Sequence, residues 1–168
     1  AVDGLPIFPL LAGKTAQERD ALASQAAASY AALDPAKALA YETNFMSTIG
    51  TREPSLVAPT AQLEAKSDPK AVAAWLKEDL STDLRPNLSK ITIPVLEIMP
   101  YDPEFYAKMG ITQEQDAAFY KSLIAGAPQA RVEPIVPARH FAMLDRPDAF
   151  YLLLTQFLTE TAGGVKVL

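Results

Sequence analysis

Hydrophobic and polar positions follow two different periods along this chain, and the change falls near residue 83. Before that point the period is helical. Thr15 and Glu18 have capping-box spacing ahead of an Ala-rich stretch that runs to Leu33. Asp34-Pro35 and Asp68-Pro69 each supply an N-cap followed by a proline at the first helical position, where its missing N–H is not needed. The first of these helices is expected to reach about Thr48. The second puts Val72, Trp75, Leu76 and Leu80 on one face. Gly50 to Pro59, with Pro54 and Pro59, reads as a loop. At the start of the chain, Val2, Asp3-Gly4, Pro6 and Pro9 read as the tail of a strand breaking into a loop, because proline cannot donate to a ladder.

After Asp83 the pattern changes. Asp83 to Leu88 is a polar linker containing Pro86, and Ile91 to Met99 is a short apolar run of strand length. Pro100 to Pro103 ends it. Thr112 and Gln115 cap a helix on which Phe119 and Leu123 are partners one turn apart, with Gly126 closing it. Arg131 to Val136 reads as a second strand closed by Pro137. Asp145 and Pro147 then start a last helix, with Asp145 as N-cap and Phe150, Leu153, Leu154, Phe157 and Leu158 on one stripe. Strand, helix, strand, helix in this order predicts parallel strands covered on both faces. Two strands are too few for such a sheet, which ordinarily has about four to six, so its neighbours are expected from another chain or an N-terminal half. The evenly spaced Asp-Pro dipeptides at Asp34, Asp68 and Asp102 do not mark a repeat, because the apolar positions that follow them do not superimpose.

Composition narrows the function classes. The 168 residues are 49% hydrophobic and 21% charged, which is ordinary for a globular chain. A net charge of -5 argues against phosphate backbones as partners, since nucleic-acid affinity comes largely from basic charge. The longest uncharged run, Ala21 to Leu33, falls short of the roughly 18 residues needed to span a bilayer. With no cysteine and a single histidine, thiolate and zinc sites lack ligands. The chain opens without methionine or a leader-like segment and reads as the continuation of an upstream sequence; localisation stays open.

Asp102 follows the first full strand and His140 follows the second, so adjacent parallel strands would bring their loops together at the sheet edge where sites form. An acid facing a histidine can fix its tautomer and stabilise the imidazolium, leaving the other ring nitrogen to take a nucleophile's proton. The linker and strand from Asp83 to Leu96, the acid beyond them, and the run Arg139-His140-Phe141-Ala142-Met143-Leu144-Asp145-Arg146-Pro147 resemble the C-terminal half of an α/β-hydrolase.

That resemblance implies an α/β fold consisting of a helical cap and the last two strands of the core sheet, incomplete without an N-terminal half. Residues 1–9 would be the end of a core strand and its exit loop, 10–82 the cap, and 83–168 the C-terminal core. It also implies esterase-like acyl hydrolysis, with His140 as base and Asp102 as acid. Asp3, at the end of the preceding strand, is the alternative acid, because Pro100-Tyr101-Asp102 stands one residue short of the family's spacing and lacks its glycine. No Gly-x-Ser-x-Gly elbow occurs, so the nucleophile would lie on the N-terminal half, as a partner chain or unseen segment. The substrate would be a small uncharged ester, and the resemblance implies no metal or organic cofactor. Two other readings stay open: a non-enzymatic binding module of the same fold, and a dehalogenase or epoxide hydrolase with an aspartate nucleophile.

Other residues read more simply. Glu97, a carboxylate within an apolar strand, needs a partner or a solvent-facing rim. Phe45, Met46, Trp75 and Leu76 either line a pocket under the cap or, the favoured reading, pack in a core. Arg139 either meets an anionic substrate or, again the favoured reading, forms a surface salt bridge.

Overall fold

A computed structural model describes residues 1–162. The chain forms two compact units: Leu5–Pro86, and a second made of Ala1–Gly4 together with the chain from Asn87 onward. Mixed α/β architecture is thus present, with the strands confined to the second unit. No helix among the described residues is long and apolar enough to cross a membrane.

The first unit is helical because its start signals are strong. The Thr15–Glu18 capping box opens α1 (Ala16–Ala31), Asp34 caps α2 (Pro35–Phe45), Glu53 caps α3 (Pro54–Glu64) and Asp68 caps α4 (Pro69–Ser81). α1 packs against α4 and α2 against α3. The buried positions on these helices include Ala23, Ala73, Ala38 and Ala61, small side chains that let backbones approach closely. Trp75 does not join that contact and stays 74% exposed, since α4 turns the row through Ala73 inward. Met46 is buried and Phe45 half-buried. A wide π-type turn, Met46–Gly50, follows α2, and α3 then occupies most of what the prolines suggested was a loop, with Pro59 inside it. The ends of this unit are tied together: Ile7 bridges antiparallel to Asp83, and Leu84 N–H donates to the Pro6 carbonyl at 2.7 Å. Arg19, buried, holds the same region through Ser81 O at 3.2 Å and Lys14 O at 2.7 Å.

In the second unit β1 (Val95–Pro100) pairs parallel with β2 (Ala130–Ile135), with Leu96 opposite Arg131 and Ile98 opposite Glu133. β1 also pairs on its other side. Val2 bridges parallel to Ile98, with Ile98 N–H donating to Ala1 O at 3.0 Å and Asp3 N–H to Ile98 O at 2.9 Å. β1 is therefore central, which explains its near-continuous burial from Leu96 to Pro100. It starts four residues later than its apolar run suggests, because a 3-10 turn, Arg85–Lys90, leads into it and Pro94 has no N–H to offer a ladder. Pro134 sits within β2. The alternation fixed by Val95 N–H to Gln129 O and Tyr101 N–H to Ile135 O turns its missing N–H away from β1, where no described strand needs it.

Strand parity separates the two faces. Leu96, Ile98, Ile135, Ala138 and Ala142 form a core covered by Phe150, Leu153 and Phe157 of α8 (Pro147–Ala162). Glu97 and Met99 point the other way. α5 (Pro103–Ala107) follows β1, α6 (Gln113–Ile124) packs on β2, and short α7 (Ala142–Asp145) precedes α8. Asp145 ends α7, and its Oδ2 accepts the Arg139 backbone N–H at 2.7 Å instead of starting the last helix.

Candidate functional site

Three chain segments leave the C-terminal ends of parallel strands in the second unit: Asp3 after the Val2 bridge, Asp102 after β1, and the loop through His140 after β2. Helix starts and backbone bonds fix each one. Asp102 caps α5, its Oδ1 accepting Glu104 N–H at 3.1 Å. The loop after β2 passes a cis Val136–Pro137 bond, is tied to the β1 exit by Ala138 N–H to Tyr101 O at 3.0 Å, and is held from below by Asp145. The His140 ring packs edge-on against Phe141, with centroids 4.8 Å apart.

A carboxylate oxygen on the imidazole's Nδ1 is Asp3 Oδ2, at 2.8 Å, the contact of the alternative acid in the sequence. Asp102 is 1% exposed, and its Oδ2 accepts the Arg139 Nε–H at 2.8 Å. A guanidinium there offsets the carboxylate's charge. Arg139 thus forms a salt bridge, but with a buried carboxylate and not the surface pair that the sequence suggests. The His140 and Asp3 side chains are 36% and 23% exposed, a partly open edge.

Asp3 has φ 49°, the left-handed region that aspartate tolerates better than most residues. This turn directs its side chain off the strand end. Its Oδ1 accepts a hydrogen bond from the Tyr120 hydroxyl on α6. The next residue, Gly4, donates its N–H to Glu97 Oε1 at 2.9 Å. Glu97 therefore has the partner its position demands; it is 2% exposed, and no solvent-facing rim is involved. Burial pushes its carboxyl up, the Gly4 N–H pulls it back, and the charge of Asp3 adds to the rise.

One turn before Tyr120 on α6, Asp116 is 6% exposed. It is pushed up to about 6, mainly by burial, with the Tyr106 hydrogen bond opposing and Asp3's charge assisting. Its Oδ2 has no hydrogen-bond partner among the described residues. Burial, then the charge of Asp3, raises the Tyr120 phenol; burial and the charges of Asp116 and Asp3 raise that of Tyr106. Both phenols stay protonated and act as donors.

The sequence pairs Phe119 with Leu123 one turn apart on α6, and the buried positions there are Asp116, Tyr120 and Leu123. The signal that would reveal Tyr120 is the helical spacing of Asp116, Tyr120 and Leu123. Among the described residues no group of three or more His, Cys, Asp or Glu side chains is placed to hold a metal ion. Comparison with protein-family models, with curated proteins and with solved structures finds no match.

Proposed function

We propose that this chain is the cap and C-terminal half of an α/β-hydrolase that hydrolyses a small uncharged ester with a nucleophile carried outside residues 1–168. The observation that carries the reading is the His140 Nδ1 contact with Asp3 Oδ2 at 2.8 Å, made at the C-terminal edge of parallel strands covered by helices on both faces. In support, the helical unit Leu5–Pro86 interrupts that sheet after its first strand segment, the place a cap occupies in the family the sequence resembles.

Asp3 holds the ring so that Nδ1 carries the proton and Nε2 is the base. As the nucleophile's hydroxyl oxygen bonds to the acyl carbon, Nε2 takes its proton; the acyl C–O bond then breaks, and the departing alkoxide receives that proton. Water repeats the sequence, leaving acid and free nucleophile. The ion-paired Asp102 fixes Arg139, and with it the loop beside the base.

The test is fluorophosphonate labelling of the natively purified protein, read by intact mass under denaturing conditions. Wild-type material is expected to carry the label on a serine outside these residues, and His140→Ala to slow labelling by about a thousandfold. Absence of label, or equal labelling of His140→Ala, overturns the proposal.

A further inference from the structure

We infer that Tyr120 is a positioning residue of this site: its hydroxyl grips Asp3 Oδ1 so that Oδ2 stays on the Nδ1 of His140. The inference rests on the hydrolase reading and extends it to a residue that touches neither substrate nor base.

Asp3 is the least anchored part of the dyad. It ends a strand segment that pairs only through Ala1 to Asp3, and its backbone has turned into the left-handed region. Its backbone is secured by Asp3 N–H to Ile98 O at 2.9 Å and by Gly4 N–H to Glu97 Oε1 at 2.9 Å, but neither bond fixes its carboxylate. A carboxylate has two oxygens, and rotation about its side-chain bonds would exchange or withdraw the one facing His140. Tyr120 removes that freedom. Its ring is 4% exposed on α6, and the Thr112–Gln115 capping box defines where that helix begins.

A phenol suits this task better than a cation. Arg139 on Asp102 shows the alternative, a donor that also offsets charge. The Tyr120 hydroxyl donates without charge, so Asp3 keeps its full negative charge for the imidazolium that forms during catalysis. Ionisable groups that feel the charge of Asp3 include Glu97 on β1, Asp116 on α6 and Tyr106 on α5, and these three are acids or phenols.

Because the chain has one histidine, long-range proton–nitrogen NMR spectra of the 15N-labelled full chain at alkaline pH report the His140 tautomer without overlap. In the wild type the form protonated on Nδ1 is expected to predominate, and Asp3→Asn to abolish that preference. Tyr120→Phe keeps the ring and removes only the donor; the ratio of the Nδ1–H to the Nε2–H form should then fall about tenfold. A second measurement needs no variant: the wild-type Tyr120 hydroxyl proton should exchange slowly and show a cross-relaxation peak to the His140 Nδ1 proton. An Asp3→Asn effect with no change in Tyr120→Phe, or a rapidly exchanging Tyr120 hydroxyl, overturns the role of Tyr120 and leaves the hydrolase reading standing. An unchanged tautomer in Asp3→Asn sinks both.

Discussion

Asp116 holds its proton more tightly when folded than when unfolded, because burial and the neighbouring charge of Asp3 oppose its ionisation. Its ordinary value of 3.8 rises to about 6, so the folded state binds more protons in that window, and stability declines as pH rises through it. Above about pH 6 the full penalty applies; below the ordinary value it vanishes. Asp116→Asn keeps the acceptor for Tyr106 and removes the charge. It is expected to be more stable than wild type by about 1–2 kcal/mol near pH 7, after allowance for solvent screening, and equal to it below about pH 4. Urea unfolding at the two pH values, followed through tyrosine signals, checks this; a constant difference would show that ionisation is not its source. Glu97 gives a second residue-scale prediction. Glu97→Gln retains an oxygen for Gly4 N–H, whereas Glu97→Leu removes the acceptor of that part-buried bond and should destabilise by about 1 kcal/mol relative to Glu97→Gln. Neither relation was readable locally. A carboxylate inside an apolar strand announces a need for a partner, which the sequence does signal at Glu97, but the identity of the partner depends on contacts between distant residues. The same limit applies to the contacts of the two aspartates. Asp102 stands at a strand end near His140 in sequence order, while the competing claim of Arg139 on its carboxylate, and the left-handed turn that aims Asp3, appear only in three dimensions.

At the scale of elements, local chemistry was the better guide wherever a cap defined the start. Thr15, Asp34, Asp68 and Thr112 all accept backbone N–H groups at the helix starts their spacing suggests. α3 is the exception, because Pro54 at its first position favours the helix that Pro59 argues against. Pro59 lies on an exposed part of that helix, where its ring removes the N–H that would bond to the Ser55 carbonyl. Pro59→Ala restores that bond and is expected to stabilise the helical unit by about 1–2 kcal/mol, the helical gain being partly offset by a freer unfolded chain. A Trp75 fluorescence melt would detect it, and a lower midpoint would show that the proline is required where it stands. For α6 the opposite change applies. Thr112→Ala removes one half of the capping box and should weaken the helix by about 1 kcal/mol, seen as faster amide exchange through the turn that holds Gln115 and Asp116.

For the whole molecule the consequence of chain connectivity is that the sheet-bearing unit is interrupted after Gly4 and resumed at Asn87, with a helical unit between. Parallel pairing of Val2 with Ile98 is therefore a long-range contact, closed across every residue of that insertion. The entropic cost of closing a flexible loop grows only with the logarithm of its length, so this interruption is tolerable, and the antiparallel tie between Ile7 and Asp83 shortens it further. Leu84 N–H reaches Pro6 O at 2.7 Å, which puts the two crossing segments within the span of a few linker residues. Replacing residues 8–82 by a short Gly-Ser linker should thus preserve the register of Val2 on β1, and with it the Asp3–His140 pair. The sole histidine again provides the measurement: its tautomer in the shortened chain is expected to match that of the full chain. Loss of the Nδ1–H preference would mean that the helical unit does more than join two segments of a sheet, since the bond it would have disturbed, 2.8 Å between His140 and Asp3, lies wholly within the other unit.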